Sequence, residues 1–195
     1  MELIIDSIMD KQLDNVSYRT FVDFPEQKFI YYRRIGASIK PKPGKLDDII
    51  NWNYGKVKEL QMMFTKNVTM GMIPQICAFA HDGEPESFWG MKWHETFGYW
   101  NHVKNEIERV FERERVLAYE PDADQIEAGI ERINKFGVFA TIDVLANGNI
   151  LLYHEIEAMP YHLVFAKLHL ESERAKYMEN KSKIIARNAK LNRRH

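Results

Sequence analysis

The chain has 195 residues, 45% of them hydrophobic and 28% charged, which is enough apolar material for a folded core and excludes disorder throughout. Its 27 Lys and Arg against 28 Asp and Glu leave a formal charge of −1, which argues against a dedicated nucleic-acid binder, because phosphate neutralisation needs a clear cationic excess. The lone cysteine, Cys77, can form no internal disulfide and sits in the apolar run Ile76–Ala80, where a buried, inert thiol is expected.

Residues 1–35 carry mixed signals. Asp23 followed by Pro25 and Glu26 has the form of a helix start leading into Phe29–Tyr32, and the segment leaves room for a small β element. Met1–Asp6 lacks the basic start of a signal peptide, and no stretch approaches the ~20 apolar residues of a bilayer span. The protein is therefore expected to stay where it is made. Pro41 and Pro43 exclude helix from residues 38–44, which read as an extended linker. From Lys45 to about Lys66 the positions of Leu46, Ile49, Ile50, Val57, Leu60 and Phe64 predict a helix, with Gly55 its weak point. A second apolar helix is expected over Met70–Ala80, with Pro74 in its first turn.

His81-Asp82-Gly83-Glu84-Pro85-Glu86 is a turn by composition and the best internal boundary in the sequence. Two regions follow from it: an N-terminal helical lobe over 1–80, and a C-terminal helical region over 86–195. Phe88 to Leu117 carries Val103, Ile107, Val110 and Phe111 at helical spacing. Asp122 with Gln125 suits a capping box, opening a helix that carries Ile126, Ile130 and Ile133. Gly137 permits a break before Val138–Leu145, and Asn147-Gly148-Asn149 is a turn with Asn149 a natural N-cap. A short helix to Ala158 follows. Pro160 then starts a last helix that runs close to Asn192, with Tyr161, Val164, Phe165, Leu168, Ala175 and Met178 as an apolar stripe.

Catalytic and metal motifs are hard to find. His94 and His102 on one helix stand ~12 Å apart, and His162 and His169 ~10 Å, too far for one ion. Gly36 and Gly44-Lys45 have the wrong spacing for a phosphate loop, and Leu46 follows where Ser or Thr is needed. Asp82, Glu84 and Glu86 lack the later glycine and glutamate of a calcium loop. No catalytic residue, metal or cofactor is expected. Two interaction features stand out instead. Trp89, Trp93, Phe97 and Trp100 are spaced to form one aromatic stripe on a helix, suited either to core packing or to anchoring a protein partner. Acids outnumber bases between Lys104 and Arg132, whereas after Glu179 there is no acid, and Lys181, Lys183, Arg187, Lys190, Arg193 and Arg194 form a basic tail. Such a tail is either a solvated helix end or a surface that meets an acidic partner or nucleic acid.

Gly129-Ile130, Asn134–Gly137, Thr141-Ile142, Leu145–Asn149 and Met159-Pro160-Tyr161 with Phe165 and Leu168 place Gln125–Asn180 beside a known pattern. This stretch resembles the C-terminal part of the tail assembly chaperones and related tail or neck proteins of tailed bacteriophages. The resemblance implies a small helical domain ending in a charged helix that binds other tail components, with no catalytic residues. The expectation is thus a mainly α helix bundle with a long C-terminal helix. It would act without enzymatic chemistry as an assembly or structural protein of a phage tail or neck. Its partners would be tail, neck or portal proteins and further copies of itself, in the host cytoplasm during assembly and in the virion, with no membrane. Association with nucleic acid through the basic C-terminal helix is the alternative.

Overall fold

A computed structural model describes residues 15–24, 34–42, 48–118 and 120–192, with side chains as far as 189. The chain divides into two compact units, the first comprising residues 1–52 and 56–110, the second residues 53–55 and 111–195.

In the first unit, Ser17 accepts from the backbone of Thr20 and so starts helix α1, Tyr18–Val22. Residues 34–37 are helical and 38–42 irregular, as two nearby prolines require. Asp48 caps a 3-10 turn, Ile49–Asn51, and α2 covers Tyr54–Thr65. The continuous helix expected from Lys45 is therefore interrupted at Trp52, whose backbone is extended. The next residues are held otherwise: Asn53 bridges to Pro160, and the Tyr54 N–H bonds to the Met159 carbonyl at 2.7 Å. A short 3-10 turn, Met70–Met72, leads into α3, Ile73–Ala80, with Pro74 in the first turn as expected.

Helix α4 covers Pro85–Gly90 and α5 covers Trp93–Glu114. The single helix expected from Phe88 breaks because Met91 is extended and residues 91–93 pair with 16–18: the Tyr18 N–H reaches the Met91 carbonyl at 2.8 Å, and the Trp93 N–H the Val16 carbonyl at 3.0 Å. That two-residue contact includes the isolated bridge Ser17–Lys92 and is all the β structure among the described residues of the first 35. The expected helix start at Asp23–Pro25 and the apolar run to Tyr32 lie outside the described residues.

Tyr18, Phe21, Ile73, Cys77, Ala78, Phe88, Trp93 and Phe97 form one core cluster of this unit. Tyr18 is fully buried, and its hydroxyl donates to the Met70 carbonyl at 3.0 Å, so the ring brings no unsatisfied polar atom inside. Each such ring contributes about 1.5–3 kcal/mol by leaving water. Because Phe88 packs with Cys77 and Ala78, the turn at His81–Glu86 lies inside one unit rather than between two. The division falls at Val110–Phe111, within α5.

In the second unit the capping box is present: Asp122 accepts from Gln125 N at 2.8 Å, and the Gln125 side chain accepts from Asp122 N at 3.0 Å. It starts α6, Ala123–Glu127. Gly129, at φ +86°, ends that run, so the expected helix through Ile133 is two short pieces, the second being α7, Glu131–Asn134. Gly137 at φ +50° makes the anticipated break before α8, Val138–Leu145. Asn147 and Gly148 also take positive φ, and Asn149 caps the 3-10 turn Ile150–Leu152. Helix α9, Tyr153–Ala158, and α10, Tyr161–Asn192, complete the unit. The root of α10 is its best-packed part. Tyr161 is fully buried, donates to Glu114 Oε1 at 2.9 Å and stacks near Tyr54, with ring centroids 6.5 Å apart.

Candidate functional site

The residues singled out in the sequence divide sharply. Trp93 and Phe97 are core, 5% and 3% exposed, and offer no ring face to a partner. Trp89 belongs to α4, not α5, and is half-buried near Tyr18 at 5.6 Å, while half-buried Trp100 stacks on Phe64 at 5.1 Å. The four aromatics therefore do not lie along one helix. Lys181, Lys183 and Arg187 are exposed on α10, whereas the Lys190 side chain and Arg193 and Arg194 lie outside the described residues.

Among the described residues of the first unit, nothing assembles an evident reaction centre. A cleft of about 810 Å³ is lined by Arg34, Lys40, Trp100, Asn101 and Lys104 among others, and its lining holds no carboxylate, imidazole or thiol. Asn101 is engaged, donating to the carbonyls of Gly36 at 2.9 Å and Ile39 at 2.8 Å. Cys77 is fully buried, and burial pushes its thiol well above the usual range, away from the reactive thiolate. His81 is pulled down to about 4, first by burial and then by the nearby His102 and Lys56. Among the described residues no group of three or more His, Cys, Asp and Glu could hold a metal ion. Likewise, among them no helix is long and apolar enough to cross a membrane.

The second unit is different. Of the 18 large hydrophobic residues exposed among the described ones, all but Ile35 and Met62 belong to it. They include Ile126, Ile133, Phe136 and Phe139 in the short helices, and Leu163, Leu170, Tyr177, Met178, Ile184 and Ile185 along α10. Only the first two turns of α10 pack on the chain itself: Tyr161 and Val164 are buried, Phe165 and Leu168 half-buried, and every residue from Glu173 to Ala189 is exposed. Ala175 and Met178, at the far end of the apolar stripe, face solvent.

A second stripe had been readable and was missed. Leu163, Leu170, Tyr177 and Ile184 recur every seven residues and are 48–63% exposed. Such a repeat keeps one exposed apolar side chain in every two turns on one side of α10, a narrow seam, because the positions three and four residues on are polar or charged except Ala166. It spans ~31 Å of helix. The chemistry such a surface offers is burial of apolar area against a partner, with charges beside the seam setting which partner fits.

No protein-family model, curated protein or solved structure matches the chain.

Proposed function

We propose that this is a non-enzymatic assembly or structural protein of a tailed-phage tail or neck, acting through protein–protein contacts centred on its second unit and α10. The concentration of exposed large hydrophobics in that unit carries the reading. A monomer rarely leaves so many large apolar side chains of one unit in water unless something covers them. The resemblance of Gln125–Asn180 to tail assembly chaperones supplies the phage setting, and the long charged final helix agrees with the form such proteins take.

The test is made on particles. Mass spectrometry of purified virions and of their assembly intermediates is expected to find peptides of this chain. Ending the chain after Glu179 is expected to lower the yield of complete particles. Normal yield of complete particles without the chain would overturn the reading.

A second reading is favoured by one observation: Lys181 and Arg187 are exposed, and neither has an ion pair among the described residues. Such cations suit a phosphate backbone. Binding of the isolated C-terminal peptide to DNA, weakening steeply with salt, would favour it.

A further inference from the structure

The charges along α10 follow a rule that changes partway. As far as Glu179, each acid has a base within one turn: Lys167 to Glu171 at 2.6 Å, Arg174 to Glu171 at 2.9 Å, Lys176 to Glu173 at 2.7 Å, and Lys183 to Glu179. Beyond Glu179 the sequence has no acid at all. Lys181 and Arg187 therefore stand uncompensated beside Tyr177, Met178, Ile184 and Ile185, each at least 50% exposed. The complement of a surface with apolar side chains and spare cations is one with apolar side chains and spare anions.

The same chain carries one. Between Glu120 and Phe139 there are five acids against two bases, Arg132 and Lys135, and no base stands before Arg132. Asp122 is used in the capping box, but Glu120, Asp124, Glu127 and Glu131 are exposed and make no ion pair among the described residues. Beside them Ile126, Ile133, Phe136 and Phe139 are each more than half exposed. Within one copy both surfaces stay open, and α10 runs unbroken to Asn192, without a hinge to fold its end back. Pairing two α10 helices with each other fits less well. Side by side in parallel, their basic ends would repel, and in antiparallel order those ends would meet acids that already have partners on their own helix.

We propose that the distal half of α10 in one copy docks on the acidic, apolar face of residues 120–139 in a second copy. This rests on the reading of the protein as an assembly component and names a partner for the same surface. The contact joins two different patches. Each copy thus keeps an arm and a face for its neighbours, which yields rings or open chains unless two copies exchange arms.

The experiment uses the full chain and a reciprocal charge exchange. One variant carries Lys181→Glu and Arg187→Glu, the other Glu127→Lys and Glu131→Lys, and circular dichroism establishes that both fold. Sedimentation equilibrium is expected to show the unaltered chain self-associating, more weakly as salt rises. Each variant alone should associate ~10-fold more weakly or worse, and mixing the two in equal amounts should restore association. A monomer at every concentration in low salt overturns the proposal. So does undiminished association of either variant, or a mixture of folded variants that stays monomeric. A monomeric chain found in particles would sink this contact and leave the assembly reading standing. A working charge exchange in a chain absent from particles and intermediates would do the reverse.

Discussion

Gly36 lies so close to Phe97 that a Cβ there would fall 2.8–2.9 Å from three atoms of its ring. Phe97 is core and cannot swing aside, so Gly36→Ala is expected to destabilise the chain by about 1–3 kcal/mol through overpacking. A chemical melt that shows no loss would mean the 34–37 segment shifts freely. A second residue-scale expectation concerns pH. Folding lowers His81 from its ordinary 6.5 to about 4, chiefly by burial. The unfolded chain therefore binds more protons between those values, and the contribution is fully present above about 6.5 and lost as pH falls towards about 4. The groups that set it are His102 and Lys56, which lower it, and Asp82, which raises it. His81→Phe keeps an aromatic ring beside Phe88 and Tyr99, which His81 now meets at 5.9 and 5.0 Å. The variant's melting temperature should fall less than the parent's on acidification across that window, and parallel curves would refute the assignment. Neither feature was legible in the sequence, because Gly36 and Phe97, or His81 and His102, meet only through the fold.

At the scale of elements, local chemistry read well where it was sufficient. The Asp122–Gln125 capping box, the Gly137 break, Pro74 in a first turn and the span of α10 all follow from side chains within four residues of the backbone they organise. It failed where distant backbone intervened. Residues 16–18 hold Met91 extended and split a periodic helix, and the Tyr54 N–H is taken by Met159. The exposed surface of α10 was half legible. The basic tail and the apolar stripe were evident, but not that the stripe leaves the core after Leu168, and the seven-residue repeat beside it went unread. Element by element, α10 should also behave differently at its two ends. Every described side chain beyond Glu179 is exposed, so ending the chain there should barely move the melting temperature, since little apolar area is lost from the core. Unfolding of the truncated chain would show instead that the tail is a structural element of the domain.

Over the whole molecule, circular dichroism should be dominated by helix, as α1–α10 require. A strand-dominated spectrum would contradict the fold. With no metal-holding group among the described residues, elemental analysis should find no stoichiometric zinc, and a chelator should leave the melting curve in place. A chelator-sensitive melt would reopen the case for a reaction centre. Among the described residues the apolar side chains are sorted by unit: one closes its aromatics into a core, and the other leaves many of its isoleucines, leucines and phenylalanines in water. The seating of Tyr161 against Glu114 and Tyr54 then matters well beyond its own few ångströms. Helix α10 has 32 residues and is ~48 Å long, so it is a lever with its pivot at that tyrosine. A tilt of ~10° at the pivot carries the far end through ~8 Å, more than one helical turn. Tyr161→Phe, which removes the hydrogen bond to Glu114 at that pivot, is thus expected to cost about 1–3 kcal/mol and to be felt as well as a change of aim.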